Sequence, residues 1–411
     1  MVERQLPVRP RLEQLRRQAK ELLRDARRGD PDGVATLRAH HPDPPAEPRL
    51  ADAQLALARS YGVRSWPRLV AACRLTDAIW RDDLEAVLAL VRRDPRLLDE
   101  DARGAPGNWG PPLSYAANLG RDRIVVALRE LGAADLQHAF DRACLQGQLA
   151  TASRLFAMSA RPRPGAVMGP CETLNADGLE YLLGLGAELA DEHGDRLAPV
   201  ALLLQTYARN PDGKHRCLGL VAARGVALPD TPAMAVHRGR ADLLERHLRR
   251  DPGLLARTFA HEQIYPPELG CDADRSLALH GTPIDGGTLL HLCVEFDELD
   301  LAARLLDRGA DADAPAAVDA DGFGGHTALF GCVVSHLYRN GRGGDALARL
   351  LLDRGADPNA RASLRKRLRH VTDEREHVYR DVTPLAWGEG FHDRAWVDPA
   401  AVALIAARGG R

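Results

Sequence analysis

The chain has 411 residues, 45% hydrophobic and 27% charged, which is an ordinary globular composition. Its 55 basic and 57 acidic residues leave a formal charge of −2, which argues against a protein that grips nucleic acid chiefly by neutralising phosphates. No apolar run approaches the roughly 18 residues of a membrane span, and the opening segment lacks a signal-peptide core, so a cytoplasmic chain with no membrane association is expected.

The first 73 residues read as a helical region. Leu12, Leu15, Ala19, Leu22 and Leu23 recur at helical period. Asp30-Pro31 is an N-cap followed by proline and opens a second helix to about Arg38. His40–Pro48 is a proline-rich break. Leu50–Tyr61 and Trp66–Leu75 read as two more helices, parted at Gly62.

From about residue 74 one pattern returns. Pro112-Leu113-Ser114-Tyr115-Ala116-Ala117 is followed by the apolar run 124–128 and then by Gly132-Ala133-Ala134-Asp135. Thr288-Leu289-Leu290-His291-Leu292-Cys293 is followed by Leu305-Leu306-Asp307-Arg308-Gly309-Ala310-Asp311. That last heptapeptide recurs at 351–357, and Thr383-Pro384-Leu385-Ala386-Trp387 opens another copy. The segment 78–98 aligns without gaps to 235–255, and both end in Arg-Arg-Asp-Pro-x-Leu-Leu. Across the copies the roles are readable: Thr caps a first helix, Pro suits its first turn, small residues such as Ala116 and Ala117 allow close approach, and Gly takes the left-handed cap of a second helix.

These passages resemble ankyrin repeats. The resemblance implies a mainly α fold: a solenoid of stacked helix pairs with short β-hairpin or turn connections. About nine repeats are expected over 74–411, with residues 1–73 as a helical N-terminal cap over the end of the stack. The copies at 111–135, 288–314 and 327–360 carry the pattern best. Degenerate ones begin near Thr76, His138, Gly169, Pro199 and Thr231. Insertions fall near 256–287, 336–344 and 361–382. The basic residues are almost all arginine, with lysine only at 20, 214 and 366, which reads as the imprint of a GC-rich bacterial genome.

Ankyrin arrays act mainly as rigid binding platforms, so the resemblance implies a non-enzymatic scaffold that binds another protein in its groove, without cofactor or metal. The expected contacts are Trp109, Tyr115, Tyr265, Phe323, His326, Trp387 and Phe391, side chains of hot-spot type or set in long connections. In the alternative reading the C-terminal insertions close over the groove and make a pocket for a small molecule or for acid–base catalysis. His291, Glu295, His326, His336, Glu389 and Asp285 would then be the catalytic groups. His261, Glu262, His280 and His392 are further histidines and acids near the insertions.

Several features have a plainer explanation. His291 fills the histidine position of the repeat, where the ring bonds backbone. His291 and Glu295 lie four apart on one helix and so also read as a metal pair, but no third ligand stands at a defined spacing. Residues 319–325 (Asp-Ala-Asp-Gly-Phe-Gly-Gly) read as a hairpin turn rather than a calcium loop. Arg365-Lys366-Arg367-Leu368-Arg369-His370 reads as a solvated amphipathic insertion, with Leu364, Leu368 and Val371 on one helical face. A nucleic-acid contact there ranks last. Seven scattered cysteines show neither metal nor disulfide spacing and fit a reducing compartment.

Overall fold

The computed structural model of the protein describes residues 6–274, 280–369, 371 and 373–411. Contacts divide the chain into two compact units, Met1–Pro162 and Arg163–Arg411. Both are built from helix pairs, and among the described residues short antiparallel strands occur in the second alone.

The first unit opens with the four expected helices, Leu12–Arg27, Pro31–His40, Leu50–Ser60 and Trp66–Trp80. Asp30 caps the second by accepting from the amides of Asp32 and Gly33, and Ser65 caps the fourth through the amide of Arg68. The helical stripe of the first helix is buried: Ala19 and Leu22 pack with Leu37, Ala53, Ala56 and Leu57, and Leu15 packs with Leu6, Ala58, Val63, Leu69 and Cys73. Helix Trp66–Trp80 runs through the expected boundary at 73/74. It packs both on the N-terminal helices and on the helices Leu84–Arg93 and Pro112–Asn118, so these helices continue into the repeats without a break. Arg9 reinforces this join by pairing with Asp77 at 2.5 Å. Two further pairs follow, Pro112–Asn118 with Asp122–Glu130 and Leu136–Leu145 with Leu149–Ala157.

Among the described residues the second unit holds six pairs: 168–172 with 176–184, 198–205 with 211–223, 232–237 with 241–250, 289–295 with 299–307, 328–333 with 346–353, and 384–390 with 399–407. First helices stack on first helices, from 232–237 through 289–295 and 328–333 to 384–390. Second helices stack likewise, from 299–307 through 346–353 to 399–407. The Gly-Ala-Asp turn has one geometry wherever it recurs. Gly309 and Gly355 take φ of 89° and 93°, and the next amides return to the Leu305 and Leu351 carbonyls at 2.9 and 3.0 Å. Where Arg-Arg-Asp-Pro replaces that turn, the chain forms a 3-10 turn instead, at Pro95–Leu98 and Pro252–Leu255.

The described residues of the insertions form short elements. In 256–287, strand β1 (Thr258–Phe259) pairs antiparallel with β2 (Gly287–Thr288) and encloses a short helix, His261–Ile264. In 336–344 a single helical turn, His336–Arg339, separates the two helices of its repeat. In 361–382 the expected helical face gives way to a β-hairpin. Strand β3 (Ala362–Lys366) pairs with β4 (His377–Val382), bringing Leu364 opposite Tyr379, Arg365 opposite Val378 and Lys366 opposite His377. Period two wins here: Ala362, Leu364 and Lys366 are buried while Ser363 and Arg365 are partly exposed. The expected 319–325 turn closes a second ribbon, in which Gly324 bridges to Val318 on one side and to Ser363 of β3 on the other.

Candidate functional site

A buried polar centre occupies the second unit. Helix Leu289–Glu295 ends in a carboxylate that is 2% exposed. Arg209, from the turn before helix Pro211–Ala223, pairs with it and donates from Nε to the Glu295 carbonyl at 3.0 Å. His280 Nδ1 donates to Glu295 Oε1 at 2.8 Å, since a carboxylate only accepts, so Nε2 accepts from the Tyr265 hydroxyl at 2.9 Å. Burial alone would raise the Glu295 pKa; Arg209 and His280 outweigh it and hold the group at about 2. Burial lowers the His280 pKa, so the ring is neutral near pH 7.

Beside this centre lies a second buried set. Lys214 donates to His237 Nδ1 at 2.7 Å, and His237 Nε2 donates to the Ile264 carbonyl at 2.9 Å. The ammonium sits 3.9 Å from the centroid of the Phe296 ring, and burial lowers its pKa to about 7. His336 is buried within electrostatic reach of Arg209, Glu295 and His280, and burial lowers its pKa. Its ring packs on Trp396 at 4.0 Å, and neither nitrogen has a hydrogen-bond partner among the described residues.

A cleft of about 760 Å³ opens beside His280. One wall is Thr258–Gln263 with Pro283–Gly286, a second is Ala317–Asp319 with Phe323 and Gly324, and a third is Leu364–Arg367 with Glu376. Three ribbons thus line it: β1 with the 283–286 turn, the 316–326 hairpin, and the β3–β4 hairpin. Lys366, 5% exposed, lines it beside His261, His280 and His326. Burial lowers the Lys366 pKa to about 8, against the opposing pull of Glu295 and Asp274. Phe323 lines it too, with the guanidinium groups of Arg380 and Arg365 at 3.9 and 4.8 Å from its ring centroid.

The structure distributes the expected residues as follows. Tyr115, Tyr265, Trp387 and Phe391 are core side chains, so the surface role expected of them gives way to packing. Tyr115 donates to the Val8 carbonyl at 2.7 Å, and Trp387 Nε1 donates to Thr282 Oγ1 at 3.0 Å. Trp109 is half-buried between Trp80 and Tyr115, at centroid distances of 6.3 and 4.9 Å. Phe323 and His326 line the cleft.

The six acid–base candidates do not form one site. His291 accepts at Nδ1 from the Thr288 amide at 3.1 Å and donates from Nε2 to the His326 carbonyl at 2.9 Å. His326 in turn donates to the Pro283 carbonyl at 2.8 Å. Burial lowers these two imidazoles to about 4 and 3. Asp285 accepts from the His261 amide at 2.8 Å on the cleft wall, and Glu389 is exposed on helix Pro384–Gly390. Glu295 turns to Arg209 while His291 turns to Thr288, so the pair shares no ligand position. Among the described residues no three His, Cys, Asp or Glu groups converge on a metal site.

The basic cluster is corrected as well. Lys366 is buried, Arg365 pairs with Asp319 and Asp321 at 2.8 and 3.0 Å, and Arg369 pairs with Asp274 at 2.5 Å. His370 lies outside the described residues. Sequence reasoning missed Arg209, Lys214, His237 and Lys366. A signal existed for two of them: lysine is so rare in this arginine-rich chain that Lys214 and Lys366 stand out.

An ankyrin-repeat family model matches residues 285–317. That segment contains the pair 289–295 with 299–307, and the pairs stacked beside it have the same layout. No curated protein sequence is detectably similar. Among solved structures, the chain is similar to the ankyrin repeat domain of human ASB11, at 16% identity and TM-score 0.24, covering 73% of this chain and 98% of that one. It is also similar to an ankyrin repeat domain from Acinetobacter baumannii, at 19% identity and TM-score 0.28, covering 43% of this chain and 96% of that one. Among the described residues no helix is long and apolar enough to cross a membrane.

Proposed function

We propose that this ankyrin-repeat chain is a protein-interaction module whose second unit takes its partner on the ribbons of its insertions. Ankyrin repeats are generally protein-interaction modules, and a stacked array is rigid enough to bind without large rearrangement. One observation carries the choice of surface. The 316–326 hairpin and the β3–β4 hairpin are joined through Gly324 and Ser363, and they carry the two large apolar side chains most exposed among the described residues, Val318 at 61% and Val378 at 53%. Val378 lies opposite Arg365, and Arg365 with Arg380 brackets Phe323. Apolar side chains among stacked arginines suit a partner segment that is itself apolar with acidic flanks.

The test is a quantitative pull-down from lysate of the source organism. The wild type is compared with a Val318→Glu, Val378→Glu variant and with Leu131→Glu, an exposed site in the first unit. A protein held by wild type and Leu131→Glu but lost by the double variant supports the surface. Equal recovery by all three removes it.

A further inference from the structure

Strand β4 has an outer edge whose direction follows from its neighbours. Gly324 donates its amide to the Ser363 carbonyl at 2.7 Å, so the backbone groups of Ser363 point from β3 towards the 316–326 hairpin. Backbone groups alternate sides along a strand. Those of Leu364 and Lys366 therefore point the other way, to their partners Tyr379 and His377 on β4. Val378 stands between those partners, so its amide and carbonyl aim away from β3. Beyond the β3–β4 ladder, no hydrogen bond among the described residues reaches the backbone of Glu376, Val378 or Arg380. The Val378 side chain is 53% exposed, and Glu376 and Arg380 are exposed on either side of it.

This edge is held in place from its other face. The Tyr379 hydroxyl donates to His392 Nδ1 at 2.8 Å and accepts from the His392 amide at 3.1 Å, and the His377 ring stacks on that of His392 at 4.0 Å. Past Arg380 the register shifts opposite Ser363, and Asp381 takes φ of 49°, so the bulge ends the edge there. An open strand edge is a template for another extended chain, and one already fixed in shape loses little freedom on pairing.

We propose that the partner adds a β-strand to this edge, antiparallel to β4; the proposal rests on the ribbon surface described under the proposed function. Side chains directly opposite each other share a face. The added segment therefore has an apolar residue opposite Val378 and an acidic one opposite Arg380, while Glu376 excludes an acidic residue on its own side. In antiparallel order the segment reads acidic-x-apolar. Its apolar residue exchanges amide and carbonyl bonds with Val378, so that residue's N–H faces β4 and the N–H of the next residue faces away.

The probe is the peptide acetyl-Thr-Glu-Thr-Ile-Thr-Lys-Thr-amide, labelled with a fluorophore and titrated with the intact protein up to millimolar concentration, with anisotropy as the readout. Two further versions carry one backbone methyl group, either on the isoleucine nitrogen or on that of the threonine after it. The parent and the threonine-methylated peptide are expected to bind alike, and the isoleucine-methylated one about tenfold or more weakly. Both versions are read on the wild-type chain and need no variant to fold. Val378→Pro removes the outward N–H and no bond of the ladder, so it is expected to keep its melting temperature within a few degrees and to lose the parent peptide. Val378→Ala keeps the N–H and is expected to lose less. Equal binding of the two methylated peptides or no binding of the parent overturns the proposal. Self-association of the free protein that Val378→Pro abolishes also overturns it, by giving the edge to a second copy of this chain. The methylated peptides share every side chain, so their equality removes the added strand and leaves the side-chain surface of Val318 and Val378 standing. That surface falls only with the glutamate variants in the pull-down.

Discussion

Arg209 and Glu295, 86 residues apart in the chain, form one ion pair whose side chains are 3% and 2% exposed. Arg209 also donates to the carbonyls of Thr206 and Ala208 at 2.7 and 3.0 Å. It therefore ties the turn before helix Pro211–Ala223 to the end of helix Leu289–Glu295. The pair is a joint between repeats, and its geometry governs how His280 and Tyr265 are set.

Removing one partner leaves the other charge buried and uncompensated. Glu295→Ala is expected to destabilise the protein by about 3–5 kcal/mol, read as a lower melting temperature. Arg209→Met combined with Glu295→Leu is expected to recover part of that loss, because neither charge is then stranded. The acid response has a definite sign. Glu295 is held at about 2 in the folded chain against 4.5 for an ordinary glutamate. Its contribution is complete above about pH 4.5 and is lost as pH falls towards 2. Glu295→Gln lacks that component, so its stability changes less over this interval than the wild type's. Parallel curves contradict the assignment.

His291 is expected to act through structure alone. It accepts from Thr288 and donates to the His326 backbone, so His291→Leu strands the Thr288 amide and the His326 carbonyl, at a cost of about 2–3 kcal/mol. His291→Gln keeps an acceptor at the third helical position, where the capping box uses Gln or Glu, and is expected to cost less. Burial holds His291 at about 4 against 6.5, so its contribution is complete above pH 6.5 and fades as pH falls to 4. Equal melting temperatures for the two variants argue against the bonding scheme.

These residues also show how far the sequence could be read. The repeat pattern located the first helices around His291, Thr327 and Thr383, because capping and the Gly-Ala-Asp turn are local chemistry. The plain explanation of His291 came from the same pattern. The β-hairpin at 362–382 was not legible, because Leu364, Leu368 and Val371 also fit a helical period and only pairing with Gly324 and His377–Val382 favours period two. Glu295, His280 and His336 could be named from the sequence, but Arg209 could not, nor could the pairing of Glu295 with Arg209 and His280. Such pairs depend on which repeats stack, and one repeat's sequence holds no local record of its neighbour's.

Gly324 is expected to be the most sensitive glycine of the cleft. Its φ is 121°, and a Cβ there would stand 2.0 Å from the Ala317 carbonyl oxygen, with backbone that has no room to give. Gly324→Ala is expected to cost well over about 1 kcal/mol and to loosen the bridge to Ser363. Gly309 also has positive φ, but nothing lies within 4 Å of its would-be Cβ. Gly309→Ala carries the backbone strain alone, about 1–2 kcal/mol. Denaturant midpoints for the two variants check the order, and a milder effect at Gly324 contradicts the packing.

Lys214 makes stability rise with pH above neutrality. The groups facing it are His237, the Phe296 ring, Arg209, Glu298, Glu295 and Cys271. Burial lowers its pKa to about 7 against 10.5, with Arg209 adding to the shift and the two glutamates opposing it. Between those values the unfolded chain binds the proton that the folded chain has lost, so unfolding becomes less favourable as pH rises. The full slope for one proton is about 1.4 kcal/mol per pH unit. Lys366, at about 8, adds the same sign higher in the range. The buried thiols act oppositely above about pH 9, since Cys73, Cys144, Cys217 and Cys271 are raised to about 12. Urea unfolding between pH 7 and 8.5 isolates the lysine effect. Lys214→Met is expected to be more stable than wild type at pH 7, where the wild type still carries much of the buried charge, and to lose most of the slope. An unchanged slope in that variant means that another group titrates there and that the Lys214–His237 bond joins an already neutral amine to its ring.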